Sequence, residues 1–195
     1  MTHRFIRDTG GGPMMEFTVI FMLLILLTFG IVDFGLAMWQ WNSAEKATQI
    51  GARIAVTTDP VVEELATFDC NNGSITLGTP CRLGGSSFGS ISCTSTACSG
   101  TGSLSGNTYD STAFNTIVSR MQTIYSRIQP ANVIVEYNDI SLCFAGRGSP
   151  CPAVTVRLTG MKFDFITLNW LLPSTINMPD FRATLTAEDM SSAGA

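Results

Sequence analysis

The sequence predicts an α+β protein in which a long N-terminal transmembrane helix continues into a small extracytoplasmic domain. This domain is expected to contain a second helix and a three- to four-stranded antiparallel sheet. Three observations support the fold class: an apolar run near the N-terminus, one amphipathic pattern of helical period, and several short runs of alternating β-prone residues after residue 130.

The composition favours a membrane-anchored chain and argues against a nucleic-acid partner. Charged residues make up only 13% of the 195 residues, and the formal net charge is −4. The mean hydropathy of +0.27 is high for a soluble domain. Binding to nucleic-acid phosphates requires clustered Lys and Arg, whereas the basic residues of this chain are scattered.

The apolar run is long enough to cross a bilayer. Residues 17–32 carry no charge, and only Asp33 separates them from a second apolar stretch at residues 34–39. A transmembrane helix needs about 20 mostly apolar residues. Arg4 and Arg7 precede the run and two tryptophans follow it, which predicts a cytoplasmic N-terminus and an extracytoplasmic C-terminus.

The helix is expected to extend well past the membrane. No Ala-x-Ala cleavage site ends the apolar run, and helical periodicity continues to Thr58, ahead of the helix-terminating Pro60. A helix over residues 14–58 is about 68 Å long, roughly twice the bilayer thickness. Its second half carries a stripe suited to close packing on another surface: Trp41, Ala44, Thr48, Gly51, Ala52 and Ala55.

Two carboxylates in this helix are candidate functional residues. Glu16 stands at the start of the apolar run and Asp33 stands inside it. A carboxylate that faces lipid at the helix centre costs about 2.5–3.5 kcal/mol, so such residues usually have a partner. The alternative is that neither residue has a partner. Glu16 would then lie at the cytoplasmic interface of the membrane, and Asp33 would reach its extracytoplasmic interface.

The helix contains three distinctive motifs: GGPMMEF at residues 11–17, FGIVDFG at residues 29–35 and ATQIGAR at residues 47–53. Together they resemble the TadE-like family, the pseudopilins of tight-adherence (Flp-type) pilus systems. The resemblance covers about the first 57 residues. It implies a pilin-like fold and an assembly role in which Glu16 and Asp33 contribute to subunit association.

The resemblance also implies processing and partners. A prepilin peptidase is expected to cut between Gly11 and Gly12, so that Glu16 becomes the fifth residue of the mature chain. Residues 1–11 are then a prepilin-type leader, 12–58 the transmembrane and spine helix, and 59–195 an extracytoplasmic disulfide-stapled domain. The implied partners are the membrane, the peptidase, other pilin or pseudopilin subunits and the pilus secretion machinery, with no cofactor and no small-molecule substrate.

The cysteine pattern predicts disulfides. All six cysteines follow the apolar run, no CxxC pair occurs, and the chain's one histidine is His3. An even number of cysteines on one side of a membrane span indicates disulfides in an oxidising compartment, and a metal site is the alternative. Closure of short loops favours three sequence-local pairs, among 15 possible connectivities: Cys70–Cys81, Cys93–Cys98 and Cys143–Cys151.

The extracytoplasmic domain is predicted to contain, in order, a helix, a loop, a second helix and a sheet. A short helix is predicted over residues 60–68, and a long surface loop over residues 84–108, where 18 of 25 residues are Gly, Ser or Thr. Asp110 is expected to cap an amphipathic helix that ends before Pro130. Strands are predicted at residues 133–137, at 154–158 with 161–163, and at 181–187 after a loop containing Pro173.

Three function classes fit such a chain. The first is a minor pilin or pseudopilin with a structural, non-catalytic role. The second is an uncleaved, single-pass periplasmic binding or scaffold module. The third is a membrane-tethered enzyme, which is disfavoured because His3 precedes the span and no histidine is left to activate a nucleophile in the domain.

Overall fold

The computed structural model describes residues 12–102, 104, 106–146, 151–166, 175–187 and 190. The predicted leader, the turn around Gly148 and the loop containing Pro173 therefore lie wholly or largely outside the described residues. The helices are α1 (Gly12–Ala55) and α2 (Ser111–Ile124), with 3-10 helices at Glu63–Thr67, Cys81–Leu83 and Pro130–Asn132. The strands are β1 (Ser90–Cys93), β2 (Cys98–Gly100), β3 (Val133–Asp139), β4 (Pro152–Leu158), β5 (Lys162–Asp164), β6 (Thr175–Asn177) and β7 (Phe181–Thr186).

The chain divides into two compact units. The N-terminal unit consists of Met1–Trp39 and Phe163–Ile176, and the sheet unit consists of Gln40–Lys162 and Asn177–Ala195. The first part of α1 thus groups with most of the β5–β6 pair, and the second part of α1 groups with the large sheet. The predicted α+β class with a long apolar N-terminal helix is confirmed.

The large sheet has five antiparallel strands in the order β2-β1-β3-β4-β7, one more than the upper limit predicted. Its inner face is apolar because side chains alternate along each strand. Val135 and Tyr137 of β3 lie opposite Val156 and Val154 of β4, and all four are fully buried. The outer face carries polar side chains, among them Glu136 and Thr155 in register.

Helix α2 is capped as predicted. The Asp110 carboxylate accepts hydrogen bonds from the backbone N–H groups of Thr112 and Ala113, and thereby satisfies two donors that a helix start leaves unpaired. The buried face of α2 contains Phe114, Ile117, Val118 and Met121. The helix ends at Ile124, one turn earlier than the apolar spacing suggested, because Tyr125 is extended.

Two local predictions were wrong. Residues 60–68 do not form one α-helix; a 3-10 helix starts only at Glu63. The preceding backbone is held by long-range bonds instead: Val61 N–H donates to the Tyr137 hydroxyl at 3.0 Å, and Val61 C=O accepts from Asp110 N–H at 2.8 Å. Tertiary partners here outcompete the local preference for a helix that starts at Pro60.

The second wrong prediction concerns the Gly/Ser/Thr-rich segment. Part of it forms β1 and β2, and β1 joins the sheet against β3, more than 40 residues away in the chain. Ile91 and Cys93 supply the two buried positions of β1. Composition alone missed this strand pair because its stabilisation comes from non-local pairing and from a disulfide.

Residues 161–163, predicted to extend the second strand, do not continue β4, and Lys162 and Phe163 belong to a different sheet. Gly160 adopts a φ of +67°, a conformation that ends β4, and the chain then continues as β5 paired with β6. The predicted C-terminal strand is confirmed as β7, and Ala187 N–H donates to Pro152 C=O just beyond it.

Candidate functional site in the N-terminal helix

The first part of α1 exposes apolar side chains over most of its surface. Of the described residues, one helix, Met14–Ala55, is long and apolar enough to cross a membrane, and only 6% of its most apolar stretch is buried by the rest of the protein. Most large side chains there are 40–80% exposed, for example Phe17 at 65% and Phe34 at 68%. Ile25, Leu26 and Leu36 are only half-buried. Such a surface requires lipid or other apolar helices around it.

Glu16 lies on this exposed surface. Its neighbours on the helix, Met15, Val19 and Ile20, are apolar and exposed, and no hydrogen bond or ion pair to Glu16 occurs within the described part of the chain. The carboxylate is therefore accessible to a group from another molecule. Gly12 is the first residue of α1, four residues earlier, and Gly11 is outside the described residues.

Asp33 has a different environment. Its side chain is only 1% exposed, and one carboxylate oxygen accepts a hydrogen bond from the backbone N–H of Ile166 at 3.3 Å. Ile166 follows β5 within the same N-terminal unit. The two candidate carboxylates are not brought together, because seventeen residues of helix separate them by about 26 Å.

The second part of α1 buries the predicted stripe of small residues against the sheet unit. Ala44, Ala52 and Ala55 are fully buried, and a Cβ on Gly51 would lie 2.6 Å from the Met121 sulfur. A larger residue at position 51 would therefore force the buried Met121 side chain to move. Trp41, the first member of the stripe, packs edge-on against Phe181 with ring centroids 5.0 Å apart.

Sequence reasoning missed the polar residues that fasten this part of the helix. Gln40 is 6% exposed, and its side-chain oxygen accepts hydrogen bonds from the Tyr125 hydroxyl and the Arg127 guanidinium, each at 3.1 Å. In the sequence, a single glutamine after an apolar run does not indicate a buried hydrogen-bond acceptor. Its position opposite two donors is decided by tertiary packing.

Tyr137 is a second anchor that the sequence did not single out. Its hydroxyl accepts from Val61 N–H, and burial raises the pKa of Tyr137 to about 12. Glu64, close by in the chain, accepts hydrogen bonds from the hydroxyl and backbone N–H of Thr108. The hydroxyl bond is the main reason that the pKa of the Glu64 carboxyl is lowered.

The cysteines pair as the short-loop argument predicted. The Cα–Cα distances are 5.7 Å for Cys70–Cys81, 4.0 Å for Cys93–Cys98 and 5.5 Å for Cys143–Cys151. The first and third disulfides share one buried cluster with Ala145. The Asp69 carboxylate accepts from Gly146 N–H beside that cluster, at 3.1 Å from both oxygens.

Comparison with known proteins agrees with the resemblance noted in the sequence. The family model described as TadE-like protein matches residues 14–53. The match covers most of α1, in both its exposed and its buried part, and confirms the TadE-like resemblance over those residues. No curated protein and no solved structure matches the chain.

Proposed function

We propose that the protein is a minor pilin or pseudopilin that takes part in assembly of a tight-adherence (Flp-type) pilus in a structural, non-catalytic role. One observation carries the proposal. The TadE-like match falls on α1, whose first part is an exposed apolar helix with an accessible carboxylate near its start. A pilus-associated family and a helix that needs apolar neighbours point to the same role.

Glu16 is the residue that makes assembly specific in this proposal. Cleavage between Gly11 and Gly12 creates an ammonium group on Gly12, four residues before the glutamate. In a bundle of packed helices, each charge would be costly alone, and the carboxylate of one subunit can neutralise the ammonium of its neighbour. The apolar side chains around Glu16 favour such a contact because they exclude water from the pair.

The proposed location is the bacterial inner membrane, with the sheet unit in the periplasm or carried outside in the pilus. The three disulfides support this orientation because disulfides persist in oxidising compartments. Trp39, at the end of the apolar run, suits the periplasmic interface of the inner membrane.

Processing provides the first test. The mature chain is expected to begin at Gly12 in cells with an active prepilin peptidase, and Gly11→Lys is expected to leave a larger, uncut precursor. Intact mass and N-terminal sequencing of the membrane-bound protein measure both. A chain that retains residues 1–11 beside an active peptidase would support the uncleaved anchor instead.

Glu16→Gln provides the sharper test. Insertion and processing should persist, while pilus formation and co-purification with partner pilins should fall, because the neighbour's ammonium loses its partner. The loss approaches about 3–5 kcal/mol only if the pair is fully desolvated. Glu45→Gln is the matched control, since Glu45 is also exposed on α1 but lies in the sheet unit. Normal assembly of the Glu16→Gln chain would show that Glu16 has no role in assembly.

A further inference from the structure

Most of β5 and β6 groups with the first part of α1 and not with the five-stranded sheet. Phe163–Ile176 shares a compact unit with Met1–Trp39. The backbone N–H of Ile166, just after β5, donates to the Asp33 carboxylate at 3.3 Å. Asp33 is 1% exposed, so protein and not solvent surrounds this carboxylate.

The position of Asp33 on the helix sets the depth of this contact. Asp33 is sixteen residues beyond Phe17, where the apolar run starts, and this distance corresponds to about 24 Å along a helix. The hydrocarbon core is about 30 Å thick. If α1 spans a bilayer, a residue hydrogen-bonded to Asp33 lies near the boundary of the hydrocarbon core, in the leaflet at the C-terminal end of the span.

The described ends of β5 and β6 carry two exposed isoleucines. Ile166 is 65% exposed and Ile176 is 51% exposed, although both belong to an element packed beside a membrane helix. Phe163 packs edge-on against Phe165 and is itself buried. Asp164 of the same unit is exposed, and its charge favours the interfacial layer over the hydrocarbon core.

We propose that the described ends of β5 and β6 form a second membrane-contact site, with Ile166 and Ile176 in contact with lipid acyl chains near the headgroup boundary. Asp33 is the positioning residue that holds this site at its depth. The same hydrogen bond also gives the intramembrane carboxylate a donor inside its own chain. The site depends on α1 crossing a bilayer and is independent of the assignment to a pilus.

Photo-cross-linking of the full chain in phosphatidylcholine nanodiscs tests this directly. p-Benzoylphenylalanine would replace Ile166, with Phe21 in the apolar run as the positive control and Leu83 of the sheet unit as the matched control, since Leu83 is 62% exposed. An isoleucine side chain prefers an apolar phase to water by a partition ratio of roughly ten or more. Lipid adducts at position 166 are therefore expected about tenfold above those at position 83.

Two results would overturn the proposal. Lipid adducts at position 166 no more abundant than at 83 would show that this site stays in water, and adducts at twice the chain mass would show that a second copy covers it. The same probe at Ile176 repeats the measurement if the Ile166 variant fails to fold. An intact set of three disulfides, checked by non-reducing mass spectrometry, is the criterion for folding.

Discussion

The two parts of helix α1 have similar backbones but opposite surroundings. Residues 14–39 expose large apolar side chains, and residues 40–55 bury a face of small ones against the sheet unit. The space around three glycines shows this difference between the two parts. A Cβ on Gly30 or Gly35 would meet no described atom within 4 Å, whereas one on Gly51 would collide with Met121.

This comparison separates two uses of an apolar helix. The large side chains of the first part leave its apolar surface available to lipid or to other subunits. The small residues of the second part let α2 and the sheet approach closely, and that packing stabilises the folded domain. Conditions that perturb the domain should therefore leave the first part helical.

The largest expected effect comes from reduction of the disulfides. All six cysteines are in the sheet unit, and a native disulfide in a small secreted domain contributes about 2–5 kcal/mol. Reduction in detergent should lower the thermal midpoint of the sheet unit and abolish its near-UV circular dichroism. Helical signal from residues 14–39 should remain. Concerted loss of all helical signal would contradict the separation of the two parts.

A matched pair of glycine substitutions tests the packing difference. Gly51→Leu should destabilise the sheet unit by about 1–3 kcal/mol, because the side chain overpacks the contact with Met121. Gly30→Leu should leave that stability unchanged. Chemical denaturation measures the stability of the sheet unit, and equal destabilisation by both variants would refute the difference in packing between the two parts of α1.

Gly30→Leu also tests assembly. If α1 packs closely on other helices in a pilus, this variant should reduce the number of pili, which pilus counts measure.

Tyr137→Phe should weaken the sheet unit at the segment that follows α1. The substitution leaves the buried Val61 N–H without an acceptor, at a cost of about 1–3 kcal/mol. Urea denaturation at pH 8 measures this loss. A stability equal to that of the unmodified chain would show that Val61 finds another acceptor.

The same tyrosine predicts an alkaline limit. Its folded pKa of about 12 lies above the ordinary value of 10, so its contribution is complete below pH 10 and is lost as the pH rises towards 12. The difference corresponds to at most about 3 kcal/mol. Tyr137→Phe should remove this part of the alkaline destabilisation.

The smallest expected effect concerns acid. Because hydrogen bonding from Thr108 lowers the pKa of Glu64, its contribution is present above the ordinary value of 4.5 and disappears as the pH falls through the lowered value. Glu64→Gln should flatten the stability profile of the sheet unit between about pH 5 and 3. The helical signal of residues 14–39 should not respond. An unchanged profile in the variant would rule out this contribution.

The extent of sequence prediction differed between elements. The α1 helix, the Asp110 cap, strands β3, β4 and β7 and the three disulfide pairs followed from signals within a few residues of each other. The helix over residues 60–68 and the loop over residues 84–108 were mispredicted. Their backbones are held by Tyr137 and by β3, which lie far away in the chain.

The candidate site divides in the same way. The sequence by itself determined the apolar run, the carboxylates at Glu16 and Asp33 and the small-residue stripe, because composition and helical period are local properties. Only the tertiary structure decided that Asp33 is covered by the backbone of Ile166, that Gln40 meets Tyr125 and Arg127, and that Glu16 stays exposed. These outcomes depend on which distant segments pack beside the helix, and no local pattern encodes that choice.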